Sequence, residues 1–314
     1  MKKLDSLLKD LFNTKSTRLK GISLVILASA CWSSSGIFIK IIIQMSSLSP
    51  IGLAFWRDLI SSLVLLLGIL IFRPNLLIIK WKDLPWLLGM GVISIGSMHF
   101  FWNQAVVLLG ASTATVLQYN APILVTILAR LLFKEPLTSR KVAAIFLAAL
   151  GSVLVAGFLS GNSLNIEPFG LIIALLSSIA FASLSLFGKK LSHDYNPWSI
   201  LFYIFTFGTI TLFLYQSGSP DVWPHGSGIF IWVVLLVMIS TILGFGAYSQ
   251  ALTYLPASIA SITTTSEIVF ASTLAYLVLG ERLKYGQIFG ALIIILGVIL
   301  VSFNPPVKAK DYPT

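Results

Sequence analysis

Charge is scarce in this chain. Only 10% of its 314 residues are Asp, Glu, Lys or Arg, against about 25% in soluble domains, while 57% are hydrophobic. A soluble fold needs charge to wet its outside, so this composition excludes one; lipid as solvent removes that demand. Cysteine is limited to Cys31, inside an apolar stretch, which excludes an intrachain disulfide and a thiolate metal cluster. Histidine occurs three times, and His193 and His225 fall in connecting segments. No His-Glu-xx-His helix, no serine with a basic partner and no paired intramembrane aspartates are found, so an intramembrane enzyme is the weaker reading. No glycine-rich phosphate loop is present, and neither ATP hydrolysis, a cofactor nor a metal is expected. Acidic residues number 11 and leave a net charge of +10. The basic residues are dispersed in short runs between apolar stretches, a topology signal and not a nucleic-acid face. The polar, basic residues 1–20 precede an apolar run too long for a signal-peptide core and without a cleavage site.

What the chain does have is long apolar runs. Crossing about 30 Å of hydrocarbon takes about 20 residues of helix. Ten stretches qualify, at 21–43, 51–72, 84–108, 113–133, 141–159, 169–188, 198–216, 228–254, 257–279 and 285–303. Some are separated by only a short turn, such as Gly110-Ala111-Ser112 or Pro256-Ala257. Ahead of them, Leu4, Leu7, Leu8 and Leu11 at helical spacing among Lys2, Lys3 and Lys9 suit an amphipathic surface helix; a frayed tail is the alternative. With the N-terminus in the cytoplasm, sixteen basic residues fall on the cytoplasmic side and only Arg282 and Lys284 in an external loop. Both termini, including the tail 304–314, are therefore expected on the cytoplasmic side of the inner membrane.

The chain also repeats itself. Residues 104–157 align with 250–303 without a gap and share fifteen identities. Gln104-Ala105 matches Gln250-Ala251, Ala111-Ser112 matches Ala257-Ser258, Glu135-Pro136-Leu137 matches Glu281-Arg282-Leu283, and Gly151 matches Gly297. A weaker match pairs Gly21 to Lys40 with Gly170 to Lys189. The expected fold is all-α and integral to the membrane, with ten transmembrane helices as two five-helix repeats, 21–159 and 169–303. An odd number of helices per repeat inverts the second, a plan recurrent in secondary transporters.

Each repeat ends in an acidic-x-Leu followed by a glycine-containing apolar helix: Glu135-Pro136-Leu137 through Gly151, and Glu281-Arg282-Leu283 through Gly297. Asn120-Ala121-Pro122 and Ser266-Glu267-Ile268 precede these, and helix two opens with Phe55-Trp56-Arg57. With the ten spans, this resembles the EamA family of the drug/metabolite transporter superfamily over residues 20–303. The resemblance implies an exporter, exchanger or uptake system for small metabolites, with a central cavity lined by helices one, three, four, six, eight and nine. Helix nine in that family often carries Glu-Pro. Here Ile268 stands in the proline's place, so a proline kink is expected only in the first repeat, at Pro122.

Glu267 lies about ten residues into helix nine behind Thr263, Thr264, Thr265 and Ser266. A carboxylate at that depth must be paired, protonated or wetted, so it is a candidate for substrate binding and proton coupling; structural glue between helices is the alternative. His99, Trp102 and Asn103 share a helix face, as do Gln118, Tyr119 and Pro122. Trp102, Asn103, Tyr119 and Asn120 are candidate substrate contacts, and a break at Pro122 would free a carbonyl for substrate. The alternative for Trp102 and Asn103 is anchoring at the interface and capping of a turn. Trp32, beside Ser33, Ser34 and Ser35, is a further candidate, and Tyr248 is the repeat partner of Trp102. Ser178 and Ser183 fit close helix packing better. Asp58 is a secondary proton-coupling candidate; Arg57 next to it is expected to diverge from it and snorkel to the outer headgroups. Gly286-xxx-Gly290 suggests a close helix contact, within the chain or in a homodimer.

The expected activity is alternating-access transport of a small polar metabolite, in export or exchange. The lone acid, amides and aromatic walls favour a zwitterionic or cationic solute such as an amino acid. An uptake permease or exchanger for a larger cationic metabolite, an adenosyl compound for example, is the alternative. A channel is disfavoured because selectivity filters are built from rings of groups in symmetric assemblies. The partners implied are the solute and membrane lipid, not nucleic acid.

Overall fold

The computed structural model describes residues 2–46, 48–109, 114, 117–155, 167–217, 221, 223, 228–279 and 284–302. Helices, and no strands, make up the described residues. Helix α1 (Lys2–Ser33) continues after a one-residue break as α2 (Ser35–Met45). The backbone is thus helical from Lys2, while the side chains of Leu4, Leu7, Leu8 and Leu11 lie outside the described residues. The Gly110-Ala111-Ser112 turn, Glu281-Arg282-Leu283 and the tail 304–314 lie outside them as well.

Helix α3 (Pro50–Phe72) starts where the sequence supplies both entry signals. Ser49 Oγ accepts from Gly52 N at 3.0 Å, and Pro50 occupies the first turn. Helix α4 (Leu84–Gly89) widens into a π-helical segment, Met90–Ser97, and returns to α-helix as α5 (Met98–Leu109). Helices α6 (Ala121–Phe133) and α7 (Ser139–Val155) follow. Lys134 stops α6 in the left-handed region at φ 54°, the C-terminal position at which a helix turns off its axis.

Helix α8 (Pro168–Leu191) and α9 (Pro197–Tyr215) both open on proline, and Asn196 Oδ1 caps α9 by accepting from Trp198 N at 3.1 Å. Then α10 (Ile229–Leu235) widens into a second π segment, Leu236–Leu243, and resumes as α11 (Gly244–Tyr254). The two π segments are spaced by the same offset that carries Gln104 onto Gln250. Last come α12 (Ala257–Thr263), α13 (Ser266–Leu279) and α14 (Tyr285–Ser302).

Seven helical stretches among the described residues are long and apolar enough to cross a bilayer: 16–45, 50–72, 81–105, 168–191, 197–215, 229–254 and 285–302. The remaining sequence-derived spans, 113–133, 141–159 and 257–279, carry shorter helices, or in the last case two. Large apolar side chains such as Ile71, Phe72, Leu131, Phe146 and Leu214 stand more than half exposed. Water would not tolerate that surface, whereas lipid solvates it. The chain is an integral membrane protein.

Helices α7 and α14 pack backbone to backbone. A Cβ added at Gly151 would sit 2.6 Å from the Gly290 carbonyl oxygen, and one at Gly290 would sit 2.7 Å from the Gly151 carbonyl oxygen. Gly290 of the Gly286-xxx-Gly290 motif therefore serves a contact inside the chain, whereas Gly286 has open space around it.

Candidate functional site

Three helix interruptions build the site, and hydroxyl or amide side chains make each of them. At the α1–α2 break, Ser33 Oγ donates to Ala30 O at 2.7 Å and Ser34 Oγ to Cys31 O at 2.6 Å. Ser34 Oγ also meets Ser240 Oγ, in the second π segment, at 2.8 Å. At Tyr119–Asn120, just before α6, the Asn120 amide donates to Leu117 O at 2.9 Å and Pro122 lies in the first turn of α6. At Thr264–Thr265, Thr264 Oγ1 donates to Ser261 O and Thr265 Oγ1 to Ile262 O, both at 2.7 Å. Such back-bonding competes with the helix's own ladder and bends or breaks it. A proline kink was expected only at Pro122; helix nine breaks as well, through its threonines instead of a proline.

The interruptions meet. Tyr119 donates its phenolic hydrogen to Glu267 Oε2 at 2.7 Å. Tyr119 is 7% exposed and Glu267 is partly exposed. Among the described residues no cation pairs with Glu267 and no other group hydrogen-bonds its carboxylate. Phe181 of α8 stands edge-on to both Tyr119, with centroids 6.4 Å apart, and Trp32, at 6.2 Å. Trp32 in turn contacts Tyr248 at 5.2 Å and Phe245 at 5.0 Å, and Tyr248 OH meets Ser185 Oγ at 2.6 Å. Phe181 thus joins Trp32, which packs on Tyr248, to Tyr119, which holds Glu267.

The other candidates fall elsewhere. Trp102 and Asn103 line a small pocket of about 310 Å³ with Arg57, His99, Pro50 and Leu53, and its walls include none of Trp32, Tyr119, Tyr248 or Glu267. The Asn103 amide donates to Pro50 O at 3.0 Å. The side-chain amide of Asn120 closes its own turn. Asp58, fully buried, sits behind this second pocket with His99 Nδ1 at 3.1 Å and Arg57 Nε at 3.3 Å.

The expectation that Arg57 snorkels outward and leaves Asp58 alone is corrected. Arg57 is 9% exposed, pairs with Asp58 and reaches the His99 ring with Nη2. Adjacent residues leave a helix in diverging directions, but the long arginine stem folds back, and a buried carboxylate without a cation would be far costlier.

Sequence reasoning missed Phe181, whose apolar helix offers no contrast to single out one ring. It also missed what Glu135 does. That carboxylate is 2% exposed and accepts from Ala257 N at 2.7 Å, Ser258 N at 3.3 Å and the Ser258 hydroxyl. Lys141 Nζ lies 3.3 Å away. The end of the first repeated stretch thereby caps the start of α12, with a negative charge at a helix N-terminus. Both Glu135-Pro136-Leu137 and Ala257-Ser258 stood out as repeat marks, yet nothing in sequence joins one to the other.

Discontinuous helices meeting at an aromatic and acidic cluster inside a lipid-facing bundle define a solute-handling membrane protein. The EamA-like transporter family model matches the chain twice, at residues 19–157 and 168–303, and the chain belongs to that family. Among curated relatives, a protein named "Uncharacterized transporter" from Archaeoglobus fulgidus is 28% identical over 81% of this chain and 89% of its own length. The "Uncharacterized inner membrane transporter YicL" of Salmonella typhimurium is 25% identical over 94% and 99%. A solved crystal structure with 18% identity shares the fold at a TM-score of 0.75, covering 91% of this chain and 96% of that one.

Proposed function

We propose that this membrane transporter is a secondary carrier of zwitterionic or cationic metabolites, amino acids foremost, working by alternating access in export or exchange. Glu267 binds the solute's cationic group or a coupling proton, with Tyr119 holding the carboxylate and Trp32 and Tyr248 shaping the wall. The observation that carries this reading is the Tyr119–Glu267 contact, in which a partly exposed carboxylate deep in an apolar helix has a phenol but, among the described residues, no cation. An uncompensated intramembrane acid calls for a proton or a cation.

The chain is read as ten spans in two inverted repeats, 21–159 and 169–303, in the inner membrane with both termini cytoplasmic. The double match to the family model and the equal spacing of the two π segments support two repeats. The excess of lysine and arginine in the loops read as cytoplasmic supports the orientation. The clustering of the aromatic rings of Trp32, Phe181 and Tyr248 favours, as a second reading, a larger cationic metabolite with an aromatic part, such as an adenosyl compound.

Counterflow in proteoliposomes tests the proposal. Vesicles preloaded with a metabolite mixture are offered labelled amino acids and, separately, labelled adenosyl compounds. Saturable accumulation of an amino acid supports the first reading and accumulation of an adenosyl compound alone the second. Flux that rises linearly with concentration and never saturates would contradict a carrier.

A further inference from the structure

Away from the site, α3 and α9 touch closely in one half and part in the other. Ser62 Oγ meets Thr206 Oγ1 at 2.7 Å, and Phe55 packs on Phe213 with centroids 6.2 Å apart. Toward the C-terminus of α3 the two helices leave a groove of about 920 Å³ open to the outside of the bundle. One wall is Val64, Leu65, Gly68, Ile69 and Phe72; the other is Trp198 with the cap residue Asn196. The α3 positions recur at one and four residues and so form a single face. Gly68 leaves the floor open, since a Cβ there would meet nothing within 4 Å.

The mouth of the groove is chemically different from its length. Arg73, the residue that ends α3, is exposed and forms no ion pair among the described residues. Asn196 uses its carbonyl oxygen on Trp198 N, which leaves its amide hydrogens as donors. Trp198, 44% exposed, stands in the first turn of α9, where tryptophan anchors a helix at the headgroup layer. No acidic residue lines the groove. Its aqueous end is closed by the following segment, with Ser199 Oγ donating to Leu76 O and Tyr203 OH to Leu77 O at 2.7 Å.

We infer that this groove is a binding site for one anionic phospholipid, its phosphate held by Arg73 and Asn196 and one acyl chain lying along Gly68 between α3 and α9. The order of chemistry fits that ligand: a fixed cation and amide donors at the water boundary, then an apolar slot. From Val64 to Phe72 the slot runs about 12 Å inward. A guanidinium offers a phosphate paired donors, and an anionic headgroup lacks the choline cation that would oppose Arg73. A soluble phosphate would leave the slot empty, so the occupant is the lipid. The site stands on its own geometry, whether or not the chain carries solutes.

Native mass spectrometry of the full-length protein in neutral detergent tests it, with phosphatidylglycerol, phosphatidylcholine and sn-glycerol phosphate as separate probes. Wild type is expected to take its first phosphatidylglycerol roughly fivefold more tightly than phosphatidylcholine. Arg73→Gln, at an exposed position, brings phosphatidylglycerol down to the phosphatidylcholine level. Gly68→Leu, whose Cβ enters open space and whose branch fills the floor, weakens both lipids. Equal binding of the two lipids by wild type, or an unchanged preference in Arg73→Gln, overturns the headgroup assignment. Binding undiminished by Gly68→Leu, or sn-glycerol phosphate competing as well as the lipid, overturns the acyl slot.

Discussion

Tyr119 and Glu267 are 148 positions apart in sequence, yet the phenol of one lies 2.7 Å from the carboxylate of the other. Each stands beside a helix interruption, so the contact joins two places where the backbone itself is freed from its ladder. A hydrogen bond to a charged group contributes about 1.5–3 kcal/mol. Tyr119→Phe keeps the ring against Phe181 and removes only that bond. We expect solute affinity in counterflow to fall roughly tenfold or more, as 1.4 kcal/mol is a factor of about ten, beside a loss of about 1.5–3 kcal/mol in stability from the missing bond. Affinity equal to wild type would place the substrate elsewhere.

Glu135 and Lys141 form a buried pair that also caps α12. Removing the carboxylate strands the lysine and uncaps the helix, so Glu135→Leu is expected to cost about 3–5 kcal/mol of stability. Lys141→Met costs less, because Ala257 and Ser258 still bond the carboxylate. Thermal unfolding of the two variants in one detergent checks the order; equal losses would mean that the ion pair, not the cap, carries the contact.

Glycines predict opposite outcomes within one chain. At Gly290 a methyl group meets the Gly151 carbonyl, so Gly290→Ala should destabilise by about 1–3 kcal/mol. At Gly286 there is open space, and Gly286→Ala should be neutral or stabilising by up to about 1 kcal/mol. Equal effects on the unfolding midpoint would argue against the α7–α14 packing described above.

Asp58, fully buried, balances Arg57 at the wall of the Trp102–Asn103 pocket. Asp58→Asn leaves a buried guanidinium without its anion, expected to cost about 3–5 kcal/mol. Asp58→Asn combined with Arg57→Met should recover part of that loss, giving a coupling that a double-mutant cycle reads directly. Strict additivity of the two substitutions would show that the pair does not form in the protein.

Much of this was legible from residues alone. Apolar runs of spanning length gave the helices because lipid demands them, and Pro122 marked one of the places where a helix is interrupted. Glu267 stood out because an acid is costly at that depth. What stayed hidden depended on side-chain reach and on tertiary partners. The Arg57–Asp58 pairing follows from a stem long enough to fold back, which spacing rules for short side chains do not capture. The break at Thr264–Thr265 needs no proline, since hydroxyl back-bonding does the same work. Phe181 is one phenylalanine among many until Trp32 and Tyr119 are brought to it, and the Glu135 cap spans more than a hundred residues of sequence. The division of the candidates into a Glu267 cluster and a Trp102–Asn103 pocket is likewise a property of packing.

The central claim is that Glu267 meets the solute or its coupling proton. The measurement that tests it most directly is counterflow by wild type and Glu267→Gln side by side, with the solute that wild type accumulates. The amide keeps the shape and can still accept from Tyr119, but it can neither carry charge nor take up a proton. The account predicts saturable accumulation in wild type and its loss in Glu267→Gln, with both proteins inserted and folded alike. Accumulation by Glu267→Gln at the wild-type rate and affinity would contradict it.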